Sequence, residues 1–388
     1  MKNWEPKLFK DIAQFPPKVS MERGQTYSFI PMEDVSGNYK YVAPTTEKKW
    51  TGGGAKFENG DTLFARITPC LQNGKIAQAK DLKDGKGFGS TEYFIFRGID
   101  KVSDSDFIYY IAQTDEFRKY AIGSMVGASG RQRADAKFVG NFELKCPPLP
   151  IQKRIASILS AYDDSIENNL KRIKLLEEIA QRTYEEWFVK FRINGKQLPI
   201  DKKTGLPEGW EFKRADELFD IKIGKTPPRD QEQWFCKSEE GVKWASIKDI
   251  NNSNVFISDT SEGITEFGVD KYNMNTAKTG TIILSFKLTV GKVVILTENM
   301  TTNEAIAHFN EINGLSPCNT YSYCYLKSFN YDKLGSTSSI GTALNSKIVK
   351  AMPFLLPQIK IIKGFELKIK PLFDQIKNLI NQNQHLKT

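Results

Sequence analysis

The chain repeats itself once, with the parts in the same order, and this limits its folding more than any other feature of the sequence. Tyr27–Val35 (YSFIPMEDV) aligns with Val242–Ile250 (VKWASIKDI), Gly60–Ala65 with Gly280–Ser285, and Gly74–Ala77 with Gly291–Val294. Ala136–Val139, followed by Pro147–Pro150, aligns with Ser346–Val349, followed by Phe354–Pro357. Four matches in one order predict two domains of one fold in tandem. Each half ends in a proline-terminated strand and then enters a long helix.

The helices are read from apolar spacing. From Ile151 to Phe191 apolar side chains recur at steps of three and four (Ile155, Leu159, Ile166, Leu170, Ile173, Tyr184, Phe188) without Gly or Pro, the pattern of one amphipathic helix about 60 Å long. Its other face carries Lys153, Arg154, Glu167, Lys171, Arg172, Glu177 and Glu178, as a solvated coiled-coil face would. A second helix is predicted from Gln358 to Lys387, with Pro371 either kinking it or opening its second half. The rest holds short strand-like runs (61–67, 93–97, 281–286, 292–296) between Gly- and Asn-rich turns, and Phe107–Tyr120 has helical spacing. The expected fold is therefore α+β: two similar α/β domains, 1–150 and 210–357, separated by two long antiparallel helices, 151–193 and 358–388, with a linker at 194–209. The helices would form a coiled-coil spacer about 45–60 Å long, relating the domains by a pseudo-twofold. That is the reach of about 13–18 base pairs of B-DNA, suited to an interrupted, bipartite site.

Composition narrows the function. Lys and Arg number 55 against 46 Asp and Glu, a net charge of +9. The excess is uneven, about +4 on 1–150, +2 on 151–209, −1 on 210–357 and +4 on 358–388. Such a balance suits placed side chains on a local basic face better than general adhesion to phosphate. Two histidines in 388 residues exclude a His-rich metal site and leave His-dependent catalysis resting on His308 or His385. Cys318 and Cys324 lack zinc-knuckle spacing, and Gly224-Lys-Thr226 lacks the first glycine of a phosphate loop, because position 219 is Phe219. The Pro-Pro pairs at 16–17, 147–148 and 227–228 lack the aromatic that would stack on a flipped base. Neither cofactor nor metal is expected. Five scattered cysteines predict reduced thiols in a cytoplasm, and no apolar run reaches the roughly 18 residues of a membrane span.

The strongest candidate for DNA contact is the loop Ser129-Gly-Arg131-Gln132-Arg133, where two arginines and a glutamine offer bidentate readers of guanine and adenine edges. Its repeat partner, residues 338–346, replaces them with small polar groups, among them Ser338, Ser339, Thr342 and Asn345. Different side chains on one loop are what two domains reading different half-sites require. Further candidates are Arg66, Lys75, Trp50, Lys225, Arg229, Lys243, Lys248, Lys287 and Lys292.

Pro147–Ala156 (PPLPIQKRIA), Leu159–Glu167 (LSAYDDSIE), Ile179–Val189 (IAQRTYEEWFV) and Gly205–Trp210 (GLPEGW) resemble the central helix, and the start of the second target-recognition domain, of the specificity subunits of type I restriction–modification systems. The resemblance covers essentially the whole chain. It implies two target-recognition domains on double-stranded DNA, two methyltransferase (modification) subunits docked on the helices, and a motor/nuclease (restriction) subunit, with all chemistry in those partners. Ile155, Leu159, Trp187, Phe188 and Phe191 are the expected docking or spacer-core residues. The family's usual tail past Asn383–Leu386 is missing, so Ile151–Leu159 is expected to stay partly uncovered unless a partner covers it. Two other readings compete: a protein-binding coiled-coil scaffold, and a stand-alone DNA-cleaving enzyme, which would need clustered Asp, Glu and Lys that neither half shows.

Overall fold

The computed structural model describes residues 4–127, 131–287, 289–335 and 344–387. The chain divides into two compact units, Met1–Glu167 and Asn168–Leu386, so the boundary falls inside the central helix.

Each unit holds a head closed by pairing its first strand with its last. In the first, Glu5–Leu8 pairs antiparallel with Glu143–Cys146; in the second, Glu211–Arg214 pairs antiparallel with Pro353–Leu356. Inside the first head, a five-stranded sheet runs in the order 13–14, 93–98, 62–65, 76–79, 41–42, and a four-stranded sheet in the order 46–49, 26–30, 86–89, 55–58. The second head has the orders 219–223, 306–311, 282–285, 293–296, 256–257 and 235–236, 262–264, 242–245, 301–302. Both five-stranded sheets are antiparallel except for the last edge strand, 41–42 or 256–257, which runs parallel to its neighbour. Both four-stranded sheets also contain one parallel pair, 26–30 with 86–89 and 242–245 with 301–302. The repeat read from the sequence is thus a repeat of topology in the five-stranded sheets, down to the strand directions, whereas in the four-stranded sheets the parallel pair is central in the first head and at the edge in the second.

The strands obey burial. Thr62–Ala65, Ile76–Ala79, Ile282–Ser285 and Val293–Leu296 are buried at every residue, as strands covered on both faces must be, which is why they read as unbroken runs without alternation. Gly74 and Gly291, each just before the second strand of such a pair, have φ of 66° and 87°, where a side chain would be strained. Phe107–Tyr120 is not one helix. Thr114 is extended and its hydroxyl accepts from Phe117 N, ending Ser105–Gln113 and capping Asp115–Gly123.

The central helix runs Leu149–Tyr184 and ends in a π turn, Glu185–Val189. The C-terminal helix runs Ile359–Lys387, straight through Pro371. Proline there removes the hydrogen bond to Leu367 O, and Leu367 is 80% exposed, so water can satisfy that carbonyl. Within the second unit the two helices are antiparallel. Asn169 Nδ2 donates to Asn383 Oδ1 at 2.9 Å, whereas at the other end Trp187 meets Phe365 with ring centroids 5.9 Å apart. Ile173, Ala180 and Tyr184 join Phe365, Ile369, Phe373 and Ile376 in one core with the second head. The fold is α+β, a tandem of two like heads, each followed in the chain by a long helix.

Candidate nucleic-acid interface

The loop of the first head that carries Arg131 and Arg133 hangs from a frame of three backbone hydrogen bonds. Ala65 N donates to Lys75 O (3.0 Å), Arg66 N to Glu92 O (2.9 Å) and Ala134 N to Arg66 O (2.8 Å). The second head repeats the frame: Ser285 N to Lys292 O (3.0 Å), Phe286 N to Ala305 O (2.9 Å) and Leu344 N to Phe286 O (3.0 Å). Equivalent backbone positions therefore carry Arg66 and Phe286, Glu92 and Ala305, Lys75 and Lys292. The frame is common and its side chains differ.

In the first head it gathers charge. Arg133 exchanges backbone hydrogen bonds with Val126, 3.0 Å each way, and forks onto Glu92, with Nη2 donating to Oε1 at 2.7 Å and Nε to Oε2 at 2.9 Å. Those bonds to Glu92 push its guanidinium pKa up further. Arg66 Nε lies 3.9 Å from Glu92 Oε2, and its guanidinium sits 4.8 Å from the centre of the Phe94 ring. Gln132 O accepts from Thr68 N at 2.9 Å, leaving its side chain half-buried and Arg131 exposed. Arg131 has no carboxylate partner among the described residues, which leaves its fork free for a base edge or phosphate. Lys75 is not free: its Nζ donates to Met32 O at 2.7 Å. Trp50 is half-buried, its Nε1 donating to Gly53 O at 2.8 Å.

Several second-head candidates serve the fold. Asn345 Oδ1 accepts from Ile348 N at 2.9 Å and caps helix Ser346–Ala351, as Asp135 caps Ala136–Gly140; its carbonyl oxygen is spent on the backbone. Lys225 Nζ donates to Asn273 O and Tyr272 O at 2.7 and 3.1 Å. Arg229 binds both oxygens of Glu262 and lies 4.2 and 4.7 Å from the Phe235 and Trp244 ring centres. Lys243 holds Ser258 O and Glu298. Lys292 is half-buried, and its burial lowers its pKa. Lys248 and Lys287 remain exposed. Ser129, Ser338, Ser339 and Thr342 lie outside the described residues.

Of the expected docking residues, Trp187 and Phe188 are covered by their own chain, 8% and 2% exposed. Phe188 packs on Trp210, Tyr321 and Phe365. Trp187 and Phe188 both stand in an aromatic core between the two helices and the second head, the spacer-core side of the expectation. Phe191 is half-buried against Trp210, and Ile155 against the first head. Leu159, with Ile151, Ile158 and Tyr162, is exposed at 38–53%.

His308 is fully buried, its Nε2 is 2.7 Å from Thr302 Oγ1, and burial pushes its pKa down to about 4; a neutral imidazole out of reach of solvent moves no proton for a substrate. Among the described residues no group of three His, Cys, Asp or Glu could hold a metal, and no helix is long and apolar enough to cross a membrane. Sequence reading missed Glu92, which organises both arginines; a lone Glu ahead of a strand carries no signal.

Comparison with known proteins identifies the family. The family model described as the type I restriction modification DNA specificity domain matches residues 1–178 and again 207–386. A type I restriction enzyme EcoAI specificity subunit from Escherichia coli is 29% identical over 186 residues, spanning 46% of this chain and 32% of that protein. The MjaIX specificity subunit from Methanocaldococcus jannaschii is 26% identical over 414 residues, spanning 99% of this chain and 89% of the relative. The solved structure of a type I restriction–modification S subunit from M. genitalium covers 99% of this chain and 95% of its own at 16% identity and a TM-score of 0.47. With both halves of its sequence matched in tandem, the chain belongs to the type I restriction modification DNA specificity domain family.

Proposed function

We propose that this chain is the non-catalytic DNA-recognition subunit of a type I restriction–modification complex, working in the cytoplasm. Residues 1–150 and 210–357 are its two target-recognition domains, each reading one half of an interrupted duplex site. Helix 151–193, which leads through the linker 194–209 into the second domain, and helix 358–388 fix the spacing read on DNA and dock two methyltransferase subunits, with a motor/nuclease subunit joining them. The exposed row Ile151, Ile158, Leu159 and Tyr162 is the stretch of helix that best suits such docking. Methyl transfer and cleavage belong to the partners.

One observation carries the reading: the same three-bond backbone frame presents Arg66, Glu92 and Arg133 on one head and Phe286 and Ala305 on the other. Constant geometry with exchanged side chains is how one fold reads two different sequences.

The test is binding of the complex with its methyltransferase to duplex panels varied in one half-site at a time. Arg131→Ala should cost about ten- to a hundredfold at one half-site and relax its base preference there, leaving the other half unchanged. Equal loss across both halves, or across all sequences, would overturn the assignment.

A further inference from the structure

The two heads differ on the outer face of their four-stranded sheets. In the first head, Phe29 on strand 26–30 lies beside Phe88 on strand 86–89, which in turn is level with Lys56. Their alternate neighbours turn inward, Ile30 and Phe57 into the core. Strand 46–49 adds Lys48, and backbone bonds continue the pairing to Trp50, whose N donates to Gln25 O and whose O accepts from Gly24 N, both at 2.8 Å. Trp50 therefore faces the same way as Lys48. The outer face carries three rings, Phe29, Phe88 and Trp50, interleaved with Lys48, Lys56 and Lys86.

Two of these cations lie over rings, and none of the three has a carboxylate partner among the described residues. Lys48 Nζ lies 3.7 Å from the Phe29 ring centre and Lys56 Nζ 5.4 Å from that of Trp50. The nearby acids are committed, Glu47 to Lys83 at 2.7 Å and Glu58 to Arg97 at 2.8 Å. Lys48 is exposed, while Phe29, Trp50, Lys56 and Lys86 are half-exposed.

The second head closes the equivalent face. Trp244, which takes the place of Phe29 in the repeat, is 2% exposed and packed with Ile264 and Met274, under the guanidinium of Arg229. Phe235, 6.0 Å from Trp244 between ring centres, and Met274 complete the cover.

We propose that the open face of the first head is a platform for unpaired DNA, with bases stacking on Phe29 and Trp50 while Lys48, Lys56 and Lys86 hold the phosphates. A duplex hides the flat sides of its bases, so outward-facing rings have nothing to stack on there. An unpaired strand offers both π faces and closely spaced phosphates, and a lysine lying over a ring can swing to phosphate as a base takes its place. The platform rests on the DNA-recognition reading only for the source of such DNA: a methyltransferase partner must extrude the base it modifies, which leaves nucleotides unpaired.

The test uses the whole complex with its methyltransferase and a fluorescent oligothymidylate of about a dozen nucleotides, read by anisotropy. The wild type should bind it in a salt-dependent way, and Phe29→Ala with Trp50→Ala should weaken binding at least about tenfold. Trp50→Phe, which keeps a ring, should retain most of it, and Lys48→Glu should weaken binding and flatten the salt dependence. Affinity for the duplex site should stay within about twofold in Phe29→Ala alone, which also shows that the head is folded. No binding by the wild type, or binding indifferent to the rings, overturns the platform. A complex that holds the oligonucleotide through these rings yet prefers no duplex sequence would break the recognition reading and leave the platform standing.

Discussion

The two units grip the same central helix by different physics. In the first, the grip is polar: Ser160 Oγ accepts from Lys40 Nζ at 2.6 Å, Asp163 from Tyr110 OH at 2.5 Å, Asp164 from Tyr41 OH at 3.0 Å, and Glu167 pairs with Lys80 at 3.0 Å. Four successive polar partners fill residues 160–167. In the second unit the grip is mainly aromatic, Tyr184, Trp187 and Phe188 against Tyr321 and Phe365. Apolar contact is non-directional and tolerates small shifts, whereas a row of hydrogen bonds has one good geometry and leaves stranded groups when it fails. The first unit thus fixes its helix by direction, the second by area.

The largest effect should come from cutting the aromatic grip. Phe188→Ala, at a site 2% exposed, should cost about 3–5 kcal/mol, read as a lower urea midpoint for the second unit alone. Acid should separate the units next. His308 stands where the first head has Ile95, and burial holds it neutral with a pKa of about 4. A base whose folded pKa lies below its unfolded value of about 6.5 adds stability at neutral pH. That stability, about 3 kcal/mol, is lost as pH falls from about 6.5 to about 4. Unfolding of the second unit should therefore steepen with acid across that window, and His308→Asn should flatten it; an equal response in His308→Asn would reject the assignment. Lys40→Met should follow at about 2 kcal/mol, since it takes from Ser160 the shorter of its two hydrogen bonds, leaving Tyr110 OH at 3.4 Å, and leaves Asp106, itself 44% exposed, without its partner at 3.1 Å. Hydrogen exchange should then quicken at residues 156–167 and stay unchanged at 173–187.

This contrast also marks what the sequence could reveal. The aromatic grip was legible, because Tyr184 and Phe188 sit in a helical period with Ile173 and Ala180. The polar grip was not. Asp163, Asp164 and Glu167 read as a solvated helix face, and nothing local pairs them with Lys40, Tyr41, Lys80 and Tyr110, more than fifty residues away. The same asymmetry holds at the loop that carries Arg131 and Arg133. Repeats and glycine turns aligned the strand pairs that carry the backbone frame, but the frame itself joins residues 66, 92 and 134, far apart in the chain, and no local signal marks it. Whether a lysine reaches solvent or a carbonyl, as Lys75 and Lys225 do, is set by tertiary neighbours. Pro371 shows a third case, where the propensity is plain but solvent exposure of the preceding turn decides its effect.

The smallest effect tests the one place where the apolar seam of the second unit becomes polar. Asn169 and Asn383, each 7% exposed, are bonded at 2.9 Å at the end of a row formed by Ile173, Ile376 and Leu379. A buried amide pair adds little net stability, because each group gave up water to form it, but a displaced register would strand both. Asn383→Leu should cost about 1–2 kcal/mol by leaving the Asn169 amide without this bond. Restoring an apolar seam with Asn169→Leu in the same chain should return stability to within about 1 kcal/mol of the wild type, or above it. Additive losses in the double variant would mean that the two amides act separately. Recovered stability with broadened distances between spin labels on the two helices would instead identify the pair as the register lock, trading little energy for one alignment of the antiparallel helices.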